Sequence, residues 1–147
     1  MSEALIRQQI YTTLAAVPNV GRVYDYERWA VNWDKFIELF KDSASGRILG
    51  WEICRSRMGA QKISTREEEH THEFTMRGYM AVKDADATEK LFNAVIEAIG
   101  AAFRNNHTLN DTCIDAGPLS VEILDTRMFG GVLCHYAELK LPAVEII

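Results

Sequence analysis

The chain has 147 residues, enough for one domain with a sizeable core, and its 48% hydrophobic and 25% charged content is a globular mixture, not a disordered or fibrous one. A net charge of −5 disfavours nucleic-acid partners, and three scattered cysteines (Cys54, Cys113, Cys134) supply neither a disulfide framework nor a Cys-x-x-Cys metal or redox pair, which fits a reducing cytoplasm. The longest apolar stretch, residues 94–103, is interrupted by Glu97 and reaches about half a membrane span; the N-terminus lacks a basic start followed by an apolar run, so neither a membrane segment nor a signal peptide is expected.

Residues 2–16 read as a helix with Ile6, Ile10 and Leu14 on one face, Ser2 and Glu3 suited to its start, and Pro18-Asn19 ending it. Residues 20–26 read as a short strand, and 33–41 as two turns of helix with Phe36, Ile37 and Phe40 on one side. After a loop at 42–46, residues 47–58 and 67–82 both alternate, with Leu49, Trp51 and Ile53 in phase on the first and Phe74, Met76, Met80 and Val82 on the second. They form a hairpin across 59–66. For the apolar faces to coincide, facing residue numbers must sum to an odd value; a sum near 125 sets Trp51 opposite Phe74 and Arg57 opposite Glu68.

Asp84 or Asp86 suits the start of the next helix, whose apolar stripe is Leu91, Val95, Ile99, Ala102 and Phe103. Beyond a Gly117-Pro118 break, residues 119–124 and 132–141 close the chain as two strands around a Gly130-Gly131 turn. The expectation is a single α+β domain over residues 1–147: a mostly antiparallel sheet packed by two main helices, with a long projecting β-hairpin.

Projection follows from length. An unbroken strand from 67 to 82 spans about 50 Å at roughly 3.3 Å per residue, against a diameter near 40 Å for a compact domain of this size. The hairpin is also polarised in charge. Residues 47–66 carry Arg47, Arg55, Arg57, Lys62 and Arg66 against Glu52 alone, and Glu67, Glu68, Glu69 and Glu73 follow at once. The face that is apolar near the domain turns polar at Arg55, Arg57, His70 and His72, which suits an arm packing against a neighbouring copy; the alternative is a solvated, flexible hairpin in a monomer. The expected subunit interface therefore comprises Arg55, Arg57, Arg66, Glu67, Glu68, Glu69, His70 and His72.

No catalytic constellation is legible. Gly-x-Ser-x-Gly is absent, Cys134 and His135 point to opposite faces of a strand, and no glycine pair follows a strand and opens a helix. His70 and His72 share a strand face with Glu68 and offer two metal ligands, but no third ligand stands at a usual spacing, so neither metal nor cofactor is expected.

The N-terminal helix, the long hairpin, the segment His72-Glu-Phe-Thr-Met-Arg-Gly-Tyr-Met80, the helix start Asp84-Ala-Asp-Ala-Thr88 and the final strand pair together resemble the tail-terminator (tail-completion) proteins of long-tailed bacteriophages. The resemblance implies a non-enzymatic virion subunit, made in the bacterial host cytoplasm. It further implies that copies form a ring, commonly of six, that caps the tail-tube protein and meets the head-tail connector protein. Alternatives are a head-tail connector or neck protein, a dimeric small-ligand-binding α+β protein with a pocket near His135 or Tyr136, and an acidic immunity or inhibitor protein.

Overall fold

The structure, a computed structural model, describes residues 2–147; the side chain of Ser2, and with it the helix-start role expected of Ser2, lies outside the described residues. In chain order the elements are α1 (Ser2–Ala15), β1 (Arg22–Tyr24), α2 (Trp33–Phe40), β2 (Leu49–Lys62), β3 (Glu68–Ala81), a 3-10 turn (Asp84–Asp86), α3 (Thr88–Arg104), β4 (Asp115–Ala116), β5 (Ser120–Phe129) and β6 (Val132–Ile146). They build one sheet in the order β1-β2-β3-β6. On its far side β6 pairs with β5 along Val132 to Lys140 and with β4 at Ala143 and Val144. Every pairing is antiparallel except β1 with β2, so the expected α+β architecture stands.

Helices cover both faces. On one, Ile6, Ile10 and Leu14 of α1 and Phe92, Val95, Ile99 and Phe103 of α3 close over Trp51, Ile53, Phe74, Met76, Leu139 and Leu141. On the other, α2 lays Phe40 over Tyr79 and forms a smaller core with Cys134 and Tyr136. Asn32 starts α2 by accepting from the Lys35 amide at 2.9 Å. Neither Asp84 nor Asp86 caps α3. The residue before its first turn is Ala87, in the left-handed region at φ 53°, and the preceding turn closes through the Ala87 amide donating to the Asp84 carbonyl. Leu91 is exposed rather than buried, because the stripe facing the sheet runs Thr88, Phe92, Val95/Ile96, Ile99, Phe103 and leaves Leu91 at its margin.

The hairpin register differs from expectation. Trp51 lies opposite Gly78, a sum of 129, so the odd parity holds while the strands slide by four. The indole is the physical reason: a Cβ on Gly78 would meet Trp51 ring atoms at 2.4 Å, so only glycine admits the buried ring, which stacks on Phe92 at 5.8 Å between centroids. Between Arg55 and Arg57 a bulge shifts the sum to 130, setting Arg57 opposite Glu73 rather than Glu68. The loop is only residues 63–67. Residues 55–68 are all exposed. The β3 limb, however, is no free arm. β6 runs beside it as far as Glu69 opposite Ile146, and the Glu68 and Ile147 backbones exchange hydrogen bonds of 2.8 and 2.9 Å.

Candidate functional site

Most of the charged residues assigned to the arm lie at its surface. Arg55, Arg57, Arg66, Glu67 and Glu68 are exposed, and among the described residues Arg57 makes one ion-pair contact, 3.7 Å to Glu73. β1 pairs no further along β2 than Glu52, so, among the described residues, 54–62 form an open edge carrying Arg55, Arg57 and Lys62 and no acidic residue. At the other side of the sheet β5 pairs, among the described residues, with β6 alone and presents a second open edge, carrying Glu122, Asp125 and Arg127. Its face on the α1/α3 side extends beyond helical cover and exposes Val121, Leu124 and Met128, with Leu133 beside them on β6. A third apolar surface lies in the connection before α2, where Trp29 and Val31 are 82% and 91% exposed, with Trp33 also exposed.

His72 is a correction. Expected on a solvated polar face, it is 3% exposed, because β6 covers β3 where a bare hairpin would be open and because the alternation that buries Met76 and Phe74 continues in phase to His72. His70, the next residue in phase, is half-buried. The same register sets Glu145 directly opposite His70, and Glu145 is 5% exposed. His70, His72 and Glu145 each bring a ligand-capable atom within 4.8 Å of the other two. The third ligand that the spacing of the histidines could not supply thus comes from β6.

The hydrogen bonding of this cluster is incomplete. The imidazole Nε2 of His70 lies 2.9 Å from Glu68 Oε1, and Arg55 Nη1 lies 3.2 Å from His72 Nδ1. His72 Nε2 and Glu145 Oε2 stand 3.5 Å apart, and both are buried without a hydrogen-bond partner. Such orphans are few in folded proteins and call for an explanation; the other one among the described residues is Trp51 Nε1. Burial pushes the His72 imidazole below its ordinary value, against the pull of Glu145 and with the Arg55 charge reinforcing the shift. Its neutral form prevails at neutral pH. The Glu68 carboxyl is held below its usual range by its bond to His70.

A second polar group lies on the α2 face. Buried Glu52 accepts from the Tyr79 hydroxyl at 3.0 Å and from the Arg28 amide at 3.1 Å, and desolvation raises its carboxyl above the ordinary value. Beside it Arg77 pairs with Glu27, and a cavity of about 590 Å³ is lined by Trp29, Trp33, Phe36 and Phe129. Between α3 and the sheet lies an apolar cavity of about 370 Å³, lined by Leu49, Met80, Leu91 and Val95. His135 lines only a shallow recess of about 200 Å³, its Nε2 2.9 Å from Thr88 Oγ1. Cys54, Cys113 and Cys134 are free thiols, each pushed up by burial, which leaves them poor nucleophiles. Among the described residues no helix is long and apolar enough to cross a membrane.

No protein-family model matches the chain, and no curated protein matches it in sequence.

Proposed function

We propose that the chain is a ring-forming structural subunit of a bacteriophage tail, the terminator that caps the tail tube and meets the head connector. The observation that carries this reading is the pair of open strand edges on opposite sides of one sheet, basic on β2 and net acidic on β5. An edge is a template for another chain's strand. Two different, complementary edges on one subunit favour head-to-tail association, and such contacts close into a ring when the rotation allows. Of the arm residues, Arg55 and Arg57 lie on the β2 edge, Arg66 and Glu67 in the loop at its end, and Glu68, Glu69 and His70 on β3, between β2 and β6; His72 supports the arm from inside. The exposed Trp29, Val31 and Trp33 supply apolar surface for the tail-tube protein or the head-tail connector protein.

Light scattering coupled to size exclusion, followed by electron microscopy, tests the proposal. The expected result is a closed ring of about six copies, formed at high concentration or on added tail tubes. A strict monomer under both conditions refutes it. Capture by capsid connectors in place of tail tubes moves the assignment to a neck protein. The cavity beside Glu52 favours a second reading, a small-ligand-binding protein, because aromatic walls around one buried carboxyl are the usual anatomy of such a site. That reading requires a dimer or monomer that never forms rings and a Glu52→Gln variant that loses a bound ligand.

A further inference from the structure

We propose that His70, His72 and Glu145 form a binding site for a divalent transition metal of the zinc class, clamping β3 to β6 at the outer end of the sheet. The assignment is independent of the assembly reading. Two imidazole nitrogens and one carboxylate oxygen are a three-ligand set that zinc accepts, the fourth position of the tetrahedron going to water or an incoming ligand.

Three features of the cluster converge on an ion. Each of the three residues offers its ligand atom within 4.8 Å of the other two, close enough for one centre to reach all three with small side-chain rotations. His72 Nε2 and Glu145 Oε2, buried and without hydrogen-bond partners, are the atoms a cation would engage. Glu68 engages His70 through Nε2, so a metal taken by Nδ1 would leave His70 the carboxylate support that metal-bound histidines commonly have. Two contacts must give way on binding: Arg55 donates to His72 Nδ1, which leaves the ring proton on Nε2, 3.5 Å from Glu145 Oε2, whereas ligation through Nε2 puts the proton on Nδ1. Arg55 is exposed, so its guanidinium can swing into solvent when the ion enters.

The ligands come from directly paired strands, so an ion there links the hairpin to the C-terminal strand. The test begins with chelator-treated full chain, titrated with Zn²⁺ by calorimetry and with Co²⁺ by visible absorption. One ion per chain and a higher melting temperature are expected. His70→Gln and Glu145→Gln should each weaken binding by more than tenfold, since even an outer partner of a metal ligand is worth about tenfold. Hydrogen exchange should slow at both residues 68–72 and 143–147 on addition of Zn²⁺. Absence of saturable one-to-one binding to the unsubstituted chain overturns the proposal without recourse to any variant. Binding that survives both substitutions, or that slows exchange in neither strand, places the ion elsewhere and overturns it equally. Should Glu145→Gln fail to fold, the half-buried His70 still decides the matter.

Discussion

Reversing Arg57 separates an assembly role from a structural one. Its side chain is 79% exposed and, among the described residues, its ion pair is with Glu73 at 3.7 Å, so Arg57→Glu removes a surface pair worth less than about 1 kcal/mol. For a domain of this size that lowers the melting temperature by no more than roughly 2–4 °C. At an interface the arithmetic differs. A close charge pair across two subunits contributes on the order of 1.5 kcal/mol or more, and reversal replaces attraction with repulsion of similar size. The swing of about 3 kcal/mol corresponds to roughly a hundredfold weaker contact, repeated at every interface of a ring. Arg55 is the poorer choice for this test: it lies against His72, so changing it disturbs a buried cluster as well as the surface. The assay pairs thermal melting with concentration-dependent light scattering. Near-normal melting with assembly shifted to about hundredfold higher concentration is expected, and Glu122→Arg on the β5 edge should recover part of the loss in the Arg57→Glu background. Unchanged assembly refutes the edge-to-edge reasoning.

Gly78→Ala should destabilise the fold by about 1–3 kcal/mol, since the new methyl would lie 2.4 Å from the buried Trp51 ring; chemical denaturation measures it, and a neutral result would show that the indole moves freely. Burial depresses the His135 imidazole below its ordinary 6.5, with Glu89 opposing. The unfolded chain therefore binds the proton first, and stability present above pH 6.5 is lost as pH falls toward the folded value. Melting from pH 8 to 5 should show this loss reduced in His135→Gln, and an identical acid slope in the two proteins would remove His135 from the cause. Arg55→Ala should tighten Co²⁺ binding several-fold by freeing His72 Nδ1 of its competing donor; weaker binding would show that the guanidinium aids the ion.

Local pattern disclosed the elements because each helix and strand buries a face at its own period. Ile6, Ile10 and Leu14 mark α1 unaided, and the Gly130-Gly131 turn, with φ of 59° and 79°, is a two-residue hairpin connection visible in the dipeptide itself. Register was a different matter. It depends on which side chain on one strand demands space on the other, and here Trp51 demands Gly78. Alternation fixes the parity of the pairing and nothing finer. The bulge between Arg55 and Arg57 likewise leaves no local mark, although it reverses which side chains of the outer limb share a face with His70 and His72.

The candidate site follows from that distinction. Two histidines in phase on one strand are legible, whereas their partner belongs to a strand that reaches them only through the β3–β6 pairing. A signal did exist. Leu139, Leu141, Ala143 and Glu145 are in phase on β6, and the first three are fully buried, so the alternation carries a carboxylate onto the covered face. A buried carboxylate without a partner is too costly to persist, so it implies a cationic or hydrogen-bonding group opposite it. On β3 the residues in phase with Phe74 are His72 and His70, and the pairing with β6 brings both within 4.8 Å of Glu145. A charged residue in phase with a buried alternation therefore points across the sheet to its counterpart. Two such anomalies at the ends of two apolar strands argue that those ends are neighbours before any register is known.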